Sequence, residues 1–133
     1  MKILLVIFAL LTPTFVQAQN VSPEKKLESL GITLPTMSTP SANFVHVVRS
    51  GNLLFLSGKG SKNADGTLIT GKVGKDLSVE EGYEAAKTIA YQHLAVIEDE
   101  IGDLSKIKRI VKVLGMVNAT PDFTQQSQVI NGY

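Results

Sequence analysis

Four groups of residues in this chain have types that could do chemistry: a glycine-lysine run, two histidines, two carboxylate clusters and a serine at a strand end. The run GTLITGKV, Gly66 to Val73, nearly matches the phosphate-loop pattern G-x-x-x-x-G-K-[ST]. Such a loop wraps phosphates with backbone N–H groups, and its final hydroxyl holds Mg²⁺. Val73 has no hydroxyl. A polar turn, KNADG, stands where a buried strand should lead in, and GKDL separates the run from the next helix. No acidic residue ends the later strand-like run RIVKVLGMV. The run therefore reads as a solvated Gly/Lys loop.

The histidines are His46 and His93. His46 alternates with Phe44 and Val48, as on one face of a strand, and no second ligand lies beside it at metal spacing. His93 falls four residues after Ile89 and four before Ile97, on the apolar side of a helix, where a packed or boundary histidine is the ordinary case. The clusters Glu80-Glu81-Glu84 and Glu98-Asp99-Glu100 lie at the start and near the end of that same helix. They read as a dipole-complementing first turn and a solvated face. Ser57 in LSG lacks the G-x-S-x-G frame of a nucleophile elbow. No metal site is expected from these residues.

The elements that must position them are visible in the pattern. Residues 1–18, MKILLVIFALLTPTFVQA, have the layout of a secretory signal peptide, with cleavage expected after Ala18. An exported protein, periplasmic or secreted, is the expectation, with no membrane attachment once the segment is removed. With Lys2 gone, the 13 basic residues fall to 12 and match the 12 acidic ones. That balance gives no reason to expect nucleic acid as a partner. The absence of cysteine excludes disulfides, thiol chemistry and cysteine-ligated metal.

Residues 19–42 form an N-terminal helix and an extended segment. Ser22 suits the N-cap, Pro23 the first turn and Gly31 the stop, and Pro35 and Pro40 then impose an extended course. Residues 43–133 form one domain. Asn43 to Gly58 reads as a β-hairpin turning at Ser50-Gly51-Asn52, with Leu53 to Leu56 apolar on both faces and so expected to be covered on both. The loop from Gly58 to Asp76 follows, with a brief strand at Leu68-Ile69. Ser78 and Glu81 then make a capping box for a helix ended by Gly102. Its predicted stripe is Val79, Tyr83, Ala86, Ala90, Leu94, Ile97 and Ile101. The β-branched run Lys106 to Asn118 predicts a strand. ATPDF predicts a second helix capped by Thr120 or Asp122. The order fits an α+β fold with helices packed on one face of a sheet.

NFVHVVRSGNLLFLSGKG, DGTLITGKVG, VEEGYEAAKTIA and GDLSKIKRIVKVLGMVNATPDF, in that order, resemble the RidA/YjgF/L-PSP family over nearly all of residues 28–133. The resemblance narrows to a subgroup with an LGITLP start and a GTLxTGKVG loop. It implies a chorismate mutase-like α+β fold, incomplete at its C-terminal end because the family continues beyond the point matching Tyr133. It also implies a homotrimer with ligand clefts between neighbours. The implied activity is cofactor-free hydrolysis of enamine or imine intermediates to keto acids and ammonia, on small-molecule ligands.

The family's arginine, in an A-R-S-like motif, and its late glutamate both lie past Tyr133, so the catalytic residues stay unknown. Correspondence of motifs points to Phe44, Ser57, Gly58, Lys59 and Asn118 as substrate-binding positions. Phe44 stands where active members carry tyrosine, and Lys59 replaces the glutamine of an S-G-Q segment. These departures keep a second reading open, a non-catalytic small-ligand-binding or assembly module. Ribonuclease activity ranks last, since the chain lacks a basic stripe.

Overall fold

The computed structural model describes residues 21–40 and 42–133. The expected signal peptide lies outside them.

Helix α1, Pro23–Ser29, begins as expected: the Ser22 hydroxyl accepts from the Lys25 N–H, and Pro23 occupies the first turn. Gly31 follows the C-cap with φ 68°, a left-handed conformation that glycine adopts without a steric cost. The extended segment leads to strands β1, Val47–Ser50, and β2, Leu53–Leu56, paired antiparallel with Val47 opposite Leu56 and Ser50 opposite Leu53. Gly51 at φ 57° makes the turn. Leu54 and Leu56 are half-buried, but Leu53 and Phe55 are 48% and 59% exposed. The expectation of a strand covered on both faces is therefore corrected. The period of two gives β2 an inner and an outer face, and nothing among the described residues packs on the outer one.

Helix α2, Val79–Ile101, carries the capping box: Ser78 accepts from the Glu81 N–H at 3.1 Å, and Glu81 accepts from the Ser78 N–H at 2.8 Å. Gly102 ends it at φ 71°. The predicted stripe is met in part: Ala86 and Ile97 are buried and Val79, Ala90, Leu94 and Ile101 half-buried, but the fully buried face also takes in residues beside it. Gly82, Ala85, Ala86, Gln92, Ala95, Val96 and Ile97 are buried, whereas Tyr83 is 38% exposed. The reason is close approach. A Cβ at Gly82 would lie 3.2 Å from both methyls of Val129 and from Val73, so the smallest residues face the nearest neighbours.

Two further expectations fail. The run Lys106 to Asn118 makes no ladder. Leu104–Lys106 is a short 3₁₀ turn, and the chain then runs extended with Ile110, Val111, Val113, Leu114 and Met116 all exposed. A strand needs a hydrogen-bonded neighbour, and among the described residues this one meets only Val73, through a bridge at Ala119. The last helix, α3, is Gln126–Ile130, and Gln125 caps it without a side-chain bond. Thr120 is not its cap: the Thr120 carbonyl accepts from Phe123 in a separate turn, and Asp122 lies in that turn too. α3 packs on α2 through buried Val129, and Gly132 sits where any Cβ would fall 2.0 Å from the Tyr83 carbonyl oxygen.

Candidate functional site

The phosphate-loop question is settled by backbone accounting. The Val73 N–H donates to the Asn118 carbonyl at 2.9 Å and the Gly74 N–H to Leu77 at 2.9 Å, while Lys75 and Asp76 both donate to the Lys72 carbonyl. The Lys72 N–H meets the Asp76 carboxylate at 2.9 Å. The Lys72 and Val73 amides, at the Gly-Lys end of the run where a phosphate would sit, already have protein acceptors, and Val73 is 4% exposed. The loop is a clamp between the start of α2 and the far end of the extended run.

Asn118 belongs to this clamp. Its side-chain amide donates to the Gly71 carbonyl at 2.7 Å, and it shares no hydrogen bond with Ser57 or Lys59. The other positions from the sequence do come together. Ser57 follows directly on β2, and its N–H donates to the His46 carbonyl at 2.9 Å, extending the hairpin by one bond. That places the Ser57-Gly58-Lys59 turn beside the chain entering β1. Lys59 reaches back: its ammonium contacts Nδ1 of His46 and lies 3.5 Å from the Ser57 hydroxyl. Phe44 sets its ring edge-on to His46, with centroids 5.9 Å apart, and is itself 47% exposed.

His46 is held at both nitrogens. Nε2 lies 2.8 Å from the Ser38 carbonyl, which can only accept, so Nε2 carries the hydrogen. Nδ1 is then the acceptor for Lys59. The second histidine enters from α2. His93 Nε2 lies 3.1 Å from the Ser57 carbonyl and donates to it, leaving Nδ1 to accept from the Tyr133 hydroxyl at 2.8 Å. The Tyr133 ring packs edge-on to the imidazole at 5.6 Å.

Neighbouring residues on α2 complete the anchorage. Buried Gln92 donates to the Gly60 carbonyl at 2.9 Å, and the Thr88 hydroxyl accepts from the Lys62 N–H at 3.2 Å. One side of one helix thus pins the whole strand-end turn.

The electrostatics follow from burial. Desolvation, and secondarily the Lys59 charge, hold His93 below its ordinary range, so the ring is neutral near pH 7. Desolvation and then the Lys62 charge lower Lys59. Desolvation raises the Tyr133 phenol. Among the described residues the one ion pair joins Lys87 and Glu84, so no carboxylate neutralises Lys59. Nor does any group of three or more His, Cys, Asp or Glu side chains converge there on a metal position.

Sequence reasoning missed both histidines as members of the site. The signal lay in Thr88, Gln92 and His93, polar residues clustered within the apolar side of a helix, where a buried polar group must find partners. Two open clefts on the described surface lie elsewhere, one at Val79, Tyr83 and Gln128 and one at Leu27, Ile32 and Leu34.

The family model described as "YjgF/chorismate mutase-like, putative endoribonuclease" matches residues 24–133. Protein TCP17 of Trypanosoma cruzi is 43% identical over 106 residues, which make up 80% of this chain and 66% of that protein, just under two thirds of its length. A protein of unknown function from Agrobacterium tumefaciens has a crystal structure similar to this chain, with a TM-score of 0.72 and 41% identity over 82% of this chain and 67% of that one. A crystal structure from Shewanella oneidensis, described as a "putative endoribonuclease", matches with a TM-score of 0.78 and 27% identity over 84% of this chain and 74% of that one. These likenesses support the α+β fold read from the element order and the chorismate mutase-like fold that the family resemblance implies. With the matched region running from α1 to the last residue, the chain belongs to the YjgF/chorismate mutase-like family.

Proposed function

We propose that this protein binds small carboxylates bearing an enamine or imine at the Ser57-Gly58-Lys59 turn and hydrolyses them to keto acids and ammonia. One observation carries the reading. The turn holds a cation without a carboxylate partner, beside the N–H groups of Gly58 and Lys59, which donate to no protein atom among the described residues. A carboxylate or oxyanion suits that combination, with charge from the ammonium and direction from the amides. The reaction adds water to the imine carbon. The C–O bond forms, the C–N bond breaks, and ammonia leaves with the protons the water supplies. Phe44 would pack against the apolar part of such a ligand.

A second reading is a non-catalytic small-ligand-binding or assembly module. It is favoured by two features: no carboxylate among the described residues pairs with Lys59, and Phe44 brings no hydroxyl. The experiment generates an enamine in situ and follows ammonia release against buffer, with calorimetric titration of the corresponding keto acid alongside. Acceleration supports hydrolysis. Binding without acceleration supports the module, and neither outcome would remove the turn as the site. An RNA substrate left intact in the same preparation excludes nuclease action. Assembly into a trimer and export with cleavage after Ala18 are proposed on the family resemblance and on the leader-like residues 1–18. Sedimentation equilibrium and the mass of the secreted N-terminus test them.

A further inference from the structure

Lys59, His46 and Ser38 stand in an order that recurs wherever a side chain is activated as a nucleophile: the attacking group, a base in hydrogen-bond contact with it, and a third group that orients the base. The Lys59 amine contacts Nδ1 of His46. The Ser38 carbonyl, 2.8 Å from Nε2, fixes the tautomer that leaves a lone pair on Nδ1. The Ser57 hydroxyl lies 3.5 Å from the amine on another side. His93 holds the Ser57 carbonyl, so the turn carrying the amine is fixed from α2 as well as from β1. A lysine serving only as a counter-ion gains nothing from a base. The lack of a carboxylate neighbour also matters, because an ion pair would keep the amine protonated. Burial and the Lys62 charge act in the same direction, lowering the proton affinity of Lys59.

We propose that Lys59 is a covalent nucleophile, its amine forming a Schiff base with the imine or carbonyl carbon of a small oxo acid while His46 Nδ1 takes the amine's proton. The proposal rests on the reading that this turn is the ligand site, and it goes further by naming the bond. The Lys59 ammonium passes a proton to Nδ1. The freed lone pair forms a C–N bond to the substrate carbon, and the pair of the C=N bond moves to the substrate nitrogen. That nitrogen takes the proton back from the imidazolium and a second from the attacking amine, then leaves as ammonia as the Lys59 nitrogen closes a new C=N bond. Water adds to this carbon, the bond to Lys59 breaks, and the oxo acid departs with the amine restored. With an oxo acid as the starting ligand, water leaves in place of ammonia.

The test needs no knowledge of the natural substrate. The full chain is incubated with pyruvate and cyanoborohydride near pH 7, and reductive alkylation is mapped by peptide mass. Lys62, Lys72 and Lys75, exposed in the same loop, serve as internal references. The expected result is alkylation of Lys59 about tenfold or more faster than of the references, a threshold below the roughly 10²–10⁴-fold that general-base assistance supplies. His46→Ala should bring Lys59 down to the reference rate, and Lys59→Arg should remove the fast site. His46→Gln, which keeps a polar side chain of similar reach, provides the same comparison if the alanine variant fails to fold by circular dichroism. Lys59 reacting no faster than Lys62, or fast alkylation that survives loss of His46, overturns the proposal. The outcome is separable from that of the ammonia assay. Ammonia release without preferential alkylation ends the Schiff base and keeps the hydrolase, and preferential alkylation without ammonia release does the reverse.

Discussion

Helix α2 and the run from Ile107 to Val117 are both rich in apolar residues, yet they end in opposite surroundings. α2 buries Val96 to 2% and Ile97 to 5% exposure, whereas the run leaves Leu114 79% and Met116 87% exposed. The difference lies in where each closes its hydrogen bonds. A helix satisfies its backbone within its own length, so α2 needs only a surface to pack against. An extended segment satisfies its backbone only through a neighbour, and its two faces are covered only if a sheet forms around it. β-Branched content therefore specifies a willingness to pair, and the pairing itself depends on residues elsewhere.

The largest test of this contrast truncates the packed face of α2. Ile97→Ala should cost about 3 kcal/mol in denaturant unfolding, because the truncation leaves a cavity in the packed face of α2. A loss under about 1 kcal/mol would show that α2 is not the core the rest is built on. The cap comes next. Ser78→Ala removes the acceptor of the Glu81 N–H and leaves Glu81 with half of its reciprocal pair. The expected loss is about 1 kcal/mol by the same measurement, since the capping box is local and does not depend on distant partners.

The local devices are also what could be read from the residues. The Ser22 and Ser78 caps, the Gly51 turn and the Gly102 stop each depend on chain within a few positions, and all are present. The buried face of α2 was legible only in part, because its fully buried edge is decided by Val73 and Val129, distant in sequence, which approach too closely for anything larger than Gly82. The start of α3 was misplaced because Thr120 is drawn into the Val73 clamp instead. In the site, Phe44, Ser57 and Lys59 were legible through family motifs and do converge. Asn118 was legible by the same route and sits in the clamp. His46 and His93 were not legible as partners, because which nitrogen meets which carbonyl depends on the hairpin and α2 being brought together.

A pH series sharpens the contrast from the site's side. His93 is held below the ordinary imidazole value of 6.5, chiefly by burial. Between the native and unfolded values the unfolded chain binds more protons, so stability rises with pH through that window. The contribution is complete above about pH 7 and is lost as pH falls through the native value. The groups acting on the ring are the Ser57 carbonyl and Tyr133 hydroxyl as partners, with the Lys59 charge. Wild type should therefore lose more of its unfolding midpoint between about pH 7.5 and pH 5.5 than His93→Gln does. The effect should be smaller than that of the cap, because the ring is only half-buried. Glu24, Asp65 and Asp103, each held below its usual range by hydrogen bonds, add their own losses only at lower pH. Equal slopes for the two proteins would show that His93 carries no burial cost.

The smallest expected effect is the most pointed test of the comparison. Met116→Ser replaces a side chain that is 87% exposed, so unfolding should change by less than about 0.5 kcal/mol. Leu114→Ser, at 79% exposure, should behave alike. The same substitutions remove apolar surface from an extended run whose backbone has no ladder partner among the described residues, so both should lower self-association, read by light scattering at rising concentration. A loss of 2 kcal/mol or more at either position would mean that this face is covered in solution. The contrast with α2 would then be one of partner, not of kind, because an apolar extended run becomes a core strand as soon as another backbone lies beside it.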